Sequence, residues 1–207
     1  MEMELGGRLL SSMIGYLFGS FLTAQLVAWL AERKDPGEIG SGNPGMANIM
    51  ANVGKKAGFA VLAGDLLKTL LACLLAVWLT ADEIGNSTAV LYAGVGAVLG
   101  HNYPLWRAGR GGKGVTVTCG WLVLYLGSAG AVCCILGGIA VLIWGYLPLG
   151  AVVISVTAIP VAWIRQGTEG GLWMAVAAVM MFSRHAEGLR GMVCGTEKQV
   201  FRKKDRK

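Results

Sequence analysis

The sequence predicts an all-α membrane protein: a polytopic bundle of seven transmembrane helices, N-terminus outside and C-terminus cytoplasmic. Three observations lead there. Of 207 residues, 55% are hydrophobic and only 14% charged, and the mean hydropathy is +0.59, which leaves too little polar surface for a soluble chain. The apolar residues fall in blocks between short polar stretches. Lys and Arg crowd into alternate stretches.

Taken in order, the spans are Leu9–Leu30, Gly58–Thr80, Thr88–Trp106, Val115–Leu126, Ala131–Trp144, Pro148–Ile164 and Gly171–Phe182. A helix needs about 20 residues to cross the hydrocarbon core, and the first two reach that length. The fourth, fifth and seventh are short, so they thin the bilayer, extend into their flanks or stop at a recessed cavity. Glu2 and Glu4 precede the first apolar run and no small-residue cleavage site follows it, so the N-terminus reads as a retained helix and not a signal peptide.

Charge sets the orientation. With the N-terminus outside, the inner stretches are Ala31–Ala57, Arg107–Gly114, Gly145–Leu147 and the tail from Ser183; they hold four, three, no and eight of the 18 Lys and Arg. The outer stretches hold only Arg8 and Arg165, and Lys68 lies within a span. Positive residues favour the cytoplasmic side. No stretch between spans is long enough to fold alone, so residues 1–207 read as one membrane domain closing in a basic tail at 184–207. That tail suits anchoring to anionic headgroups better than nucleic-acid binding. The five cysteines show no metal-ligand spacing, and those in spans behave as small apolar residues.

Polar chemistry is concentrated in two glycine-rich stretches on the inner side, Gly40–Asn48 (GSGNPGMAN) and Gly100–Gly114 (GHNYPLWRAGRGGKG). Glycine lets backbone N–H groups approach an anion, and a lysine supplies matching charge. Both contain GxGxxG, but a dinucleotide fingerprint needs a strand before it and a βαβ unit around it. Nor is the second a Walker A motif: Arg107 stands at the first glycine and Gly114 follows Lys113 where Ser or Thr is required. What remains is a phosphate cradle with a helix N-terminus at Val115. Asp65 and Lys68 share one face of the second span, either as a structural ion pair or as part of an anionic-substrate pocket. His101 and His185, the two histidines, flank inner span ends, and no metal site is indicated.

In chain order, GSGNPG-x-x-N, GKKAG…GD-x-x-K, GH-x-x-P…GGKGV and RH-x-E…GTEK resemble the bacterial acyl-phosphate:glycerol-3-phosphate acyltransferases, the PlsY family, from about Gly15 to Glu197. The resemblance implies transfer of a fatty acyl group from acyl phosphate to the 1-hydroxyl of glycerol 3-phosphate, forming lysophosphatidic acid in phospholipid synthesis. It implies a multi-pass protein of the bacterial inner membrane with a cytoplasm-facing site, no metal or organic cofactor, and no nucleic-acid partner; membrane lipids surround it. By the same resemblance Ser41, Lys113 and His185 are catalytic. Gly40, Gly42, Asn43, Asn48, His101, Gly111, Gly112 and Gly114 bind substrate or phosphate, and Glu187 is structural. The chain departs from the family's polar pattern at Ala47, Ala51, Pro148, Ala151 and Gly188. Two alternatives therefore stand beside this expectation: a same-fold acyltransferase with another acceptor, and a non-catalytic protein that binds lipid or phosphate.

Overall fold

A computed structural model describes residues 2–201. Residues 202–207 of the predicted basic tail lie outside the described residues. Among the described residues there is no strand. The helices are α1 (Glu2–Ser20), α2 (Thr23–Glu32), α3 (Met46–Asn52), α4 (Lys55–Ile84), α5 (Asn86–Asn102), α6 (Val115–Leu126), α7 (Ser128–Trp144) and α8 (Leu147–Val193), with short 3-10 turns at Pro36–Glu38 and Leu105–Arg107. The chain packs as two compact units, one ending at Tyr125 and the next beginning at Leu126.

In the first unit α1 and α5 lie backbone to backbone. Gly15 and Gly19 leave no room for a Cβ against the Ala93 and Ala97 carbonyls, and Gly96 and Gly100 face the Ser12 and Tyr16 carbonyls in return. This is the small-residue packing of helices in lipid, where no hydrophobic drive separates protein from solvent. On the other side of α5, the Trp121 indole covers Gly94 and donates from Nε1 to the Val90 carbonyl at 3.1 Å.

The expected first span is broken. Residues 21 and 22 are non-helical between α1 and α2, and the break is held from outside. Lys68 on α4 donates from Nζ to the Gly19 and Phe21 carbonyls at 3.1 and 2.8 Å. Thr23, at the start of α2, donates to Asp65 Oδ1 at 3.1 Å. A cation thus meets the carbonyl end of α1 and an anion the N–H end of α2, as helix dipoles favour.

In the second unit α8 is two arms. Gly167 has φ 74° and ψ −168°, a conformation open to glycine. The chain reverses there, so that Gly171 packs on the Trp163 ring and Gly188 on Pro148. The arms, 147–166 and 168–193, correspond to the sixth and seventh expected spans.

Large apolar side chains point outward along the long helices, among them Leu17, Leu74, Trp78, Leu142 and Val179. Glu2–Glu32, Lys55–Ile84 and Leu147–Val193 are each long and apolar enough to cross a membrane. This surface suits lipid.

Candidate active site

The first loop is built on one amide. Asn48 of α3 is buried; its Nδ2 donates to the Ile39 and Asn43 carbonyls at 2.8 and 3.0 Å. Its Oδ1 accepts from the Ser41 backbone N–H and from Asn52 Nδ2, both at 3.0 Å. Asn48 therefore shapes the loop from beneath. Gly40 and Gly42 have φ of 53° and 72°, and a Cβ at Gly40 would strike Asn48 and Asn52. Ser41 is carried on this frame and is exposed.

The second loop is seated on the end of α5. The Gly112 N–H donates to the His101 carbonyl at 2.9 Å. A Cβ at Gly111 would meet the His101 and Asn102 carbonyls, one at Gly112 the His101 Nε2, and one at Gly114 the Asn102 amide. Close backbone approach thus requires all three glycines, and Gly114 also has φ 77°. Lys113 stays half-buried between buried neighbours, one residue before α6.

His101 joins this loop to the α1–α2 break. It is buried, with Nδ1 at 2.9 Å from Lys68 Nζ. Lys68 lies 2.8 Å from Asp65 Oδ1, so the two residues paired by helical spacing are an ion pair, extended by His101. An ammonium only donates, which makes Nδ1 the acceptor and places the ring proton on Nε2.

Asp35 and Arg107 connect the two loops. Arg107 Nη1 donates to Asp35 Oδ2 at 2.7 Å and Nη2 to Oδ1 at 2.9 Å. The guanidinium's hydrogen bonds hold the Asp35 carboxyl below the usual carboxylate range, and the carboxylate pushes Arg107 above its ordinary value. Sequence reasoning missed both residues. Asp35 also lines a groove of about 400 Å³, together with Phe21, Leu26, Trp29, Arg33, Lys34 and Trp106. Arg33 stacks on Trp29 at 4.2 Å.

His185 belongs to the second unit, on the second arm of α8. It too is buried, but its Nδ1 lies 2.9 Å from the Met181 carbonyl. A carbonyl only accepts, so here Nδ1 carries a proton. Glu187 is exposed. The carboxylate that lies beside Gly188 and Gly191 is Glu197, whose N–H donates to the Gly191 carbonyl at 3.1 Å. Of the positions where the chain departs from the family pattern, Pro148 and Gly188 touch each other. Ala151 is buried, whereas Ala47 and Ala51 are exposed. No cluster of three or more metal-ligating side chains occurs among the described residues.

A family model for glycerol-3-phosphate acyltransferases matches residues 9–195. Glycerol-3-phosphate acyltransferase 1 of Lactobacillus johnsonii is 37% identical over 190 residues, 92% of this chain and 91% of that protein. The glycerol-3-phosphate acyltransferase of Alkaliphilus metalliredigens is 32% identical over 189 residues, 91% and 93% of the two chains. Among solved structures, PlsY, an integral membrane glycerol 3-phosphate acyltransferase, superposes in its glycerol 3-phosphate form with a TM-score of 0.81 at 26% identity, covering 93% of this chain and 94% of that one. Its lysophosphatidic acid form gives 0.78 at 25% identity, with the same coverage.

Proposed function

Because this chain belongs to the glycerol-3-phosphate acyltransferase family, we propose that its two glycine-rich loops and His185 transfer a fatty acyl group from acyl phosphate to the 1-hydroxyl of glycerol 3-phosphate. The product is lysophosphatidic acid, an early intermediate of phospholipid synthesis. The observation that carries this reading is the second loop: three glycines seated on α5, half-buried Lys113, and the N-terminus of α6 immediately after. Backbone donors, a cation and a helix dipole together favour a phosphoryl group.

Acyl phosphate is already activated, with inorganic phosphate as its leaving group, so no covalent enzyme intermediate is needed. The glycerol hydroxyl attacks the acyl carbon directly, the carbonyl oxygen gains negative charge, and the bond to the phosphate oxygen breaks. Lys113 and the loop N–H groups neutralise the departing phosphate, and Ser41 donates to the oxyanion. His185 takes the hydroxyl proton. Asn48 and His101 support the loops from behind. The groove lined by Trp29 and Trp106 suits a substrate that is apolar along its length and anionic at one end.

The proposed setting is a bacterial inner membrane, crossed seven times by α1–α2, α4, α5, α6, α7 and the two arms of α8, with the site on the cytoplasmic side. Helix α6, at 12 residues, rises only about 18 Å, short of the hydrocarbon thickness of about 30 Å. That suits a loop recessed into the membrane at its start. Exposed Cys194 would then react with an impermeant maleimide from the cytoplasmic side only.

Purified protein in vesicles, given palmitoyl phosphate and labelled glycerol 3-phosphate, should form labelled lysophosphatidic acid, and Lys113→Ala and His185→Ala should abolish it. Consumption of acyl phosphate without acylation of glycerol 3-phosphate would point instead to another acceptor. Phosphate binding without turnover would make the protein a non-catalytic binder.

A further inference from the structure

Resting on the reading above that both loops serve one reaction, we propose that Asp35 and Arg107 are positioning residues, a bidentate clamp that sets the spacing between the Ser41 loop and the Lys113 loop. Each loop has its own internal frame. Asn48 and Asn52 hold the first, and the end of α5 holds the second. Asp35 and Arg107 tie one frame to the other. Asp35 stands six residues before Ser41, and Arg107 six residues before Lys113. Their two hydrogen bonds, at 2.7 and 2.9 Å, span 72 residues of sequence.

Each end of the clamp is wired into its loop. Asp35 Oδ1 also accepts from the Gly37 N–H at 2.7 Å and so caps the 3-10 turn Pro36–Glu38. That turn leads to Ile39, whose carbonyl accepts from the Gly42 N–H at 2.9 Å and from Asn48 at 2.8 Å. On the other side, the Arg107 carbonyl accepts from the Arg110 N–H at 3.0 Å. The turn carrying Arg107 is pinned by Tyr16, whose hydroxyl meets the Leu105 N–H at 3.0 Å and donates to the Tyr103 carbonyl at 2.9 Å. A shift at either partner reaches the glycines through continuous hydrogen-bonded backbone.

A partly exposed ion pair contributes little to stability. What a planar fork adds is geometry: two parallel bonds fix distance, plane and direction, which a lysine does not. Acyl transfer between two bound substrates is sensitive to errors of about an ångström in their separation. The clamp therefore acts on rate more than on folding.

The test uses full-length protein in vesicles and compares Asp35→Asn, which retains an acceptor for the Gly37 N–H, Arg107→Lys, which retains charge but not the fork, and the double variant. Each single change should lower kcat about tenfold with little change in Tm, and the double variant should be no worse than either. Hydrogen–deuterium exchange should quicken in residues 37–45 and 109–114 together, whichever partner is changed. Unchanged kcat, additive losses in the double variant, or exchange confined to the altered loop would each overturn the clamp. Should the wild-type protein make no lysophosphatidic acid, the acyltransferase reading fails, while the exchange pattern still decides whether the loops are coupled.

Discussion

The two histidines look alike in the sequence and are opposite in the fold. Both are buried beside polar segments, yet His101 meets an ammonium at Nδ1 and His185 a carbonyl at the same atom. The first is therefore an Nε2–H tautomer lodged against Gly112, a part of the scaffold. The second donates from Nδ1 to a carbonyl and is the residue proposed to take the hydroxyl proton. The proposed roles follow the partner at Nδ1 and not the residue type, and one substitution separates the two. Asparagine places an amide where Nδ1 stands and nothing where Nε2 stands. His185→Asn should retain the bond to Met181 and the folded state while kcat falls by about 10²–10⁴. His101→Asn should retain both folding and most of the activity, since its Oδ1 can accept from Lys68. Steady-state rates together with thermal melts check both, and equal losses of kcat in the two variants would erase the distinction.

The next largest effect concerns the charge that holds His101. Lys68→Met removes the cation among Asp65, His101 and the carbonyls that end α1, and leaves Asp65 buried and uncompensated. A loss of about 3–5 kcal/mol is expected, read as a lower unfolding midpoint in detergent. Lys68→Met with Asp65→Asn should recover part of it, because the orphaned charge is then gone.

The helical class was legible because apolar runs are a property of composition that needs no tertiary partner. The reversal in α8 was legible for a related reason: Arg165, Gln166, Thr168 and Glu169 interrupt two apolar runs around Gly167. The break after α1 was not, since no proline marks Phe21–Leu22 and the groups that hold it come from Asp65 and Lys68 on α4. The site divided along the same line. Motif glycines, Ser41, Lys113 and both histidines were proposed from local pattern and resemblance. Asp35 and Arg107 lie outside the motif cores and derive their meaning from a contact across 72 residues.

Pro148 and Gly188 show why single departures from a family pattern mislead. A Cβ at Gly188 would fall 2.6 Å from Pro148 Cγ and 3.3 Å from Glu197 Oε1, so the missing side chain at one position makes room for the ring at the other. Gly188→Asn alone should be overpacked and destabilised by about 1–3 kcal/mol. Gly188→Asn with Pro148→Ser should recover most of that, measured as a double-mutant cycle in chemical unfolding.

The smallest effect is the one that acid brings. Because Arg107 holds Asp35 below the usual carboxylate range, the folded protein binds that proton less readily than the unfolded chain does. The pair's contribution is fully present above the unfolded value of about 3.9 and is lost as pH falls through the lower folded value. Neutral to mildly acidic conditions should leave the loops coupled, and coupling should fail only below the ordinary carboxylate range. Hydrogen–deuterium exchange in residues 37–45 and 109–114 should therefore stay slow until that acid limit. Fast exchange in either stretch at mildly acidic pH would show that the Asp35–Arg107 pair does not hold the loops.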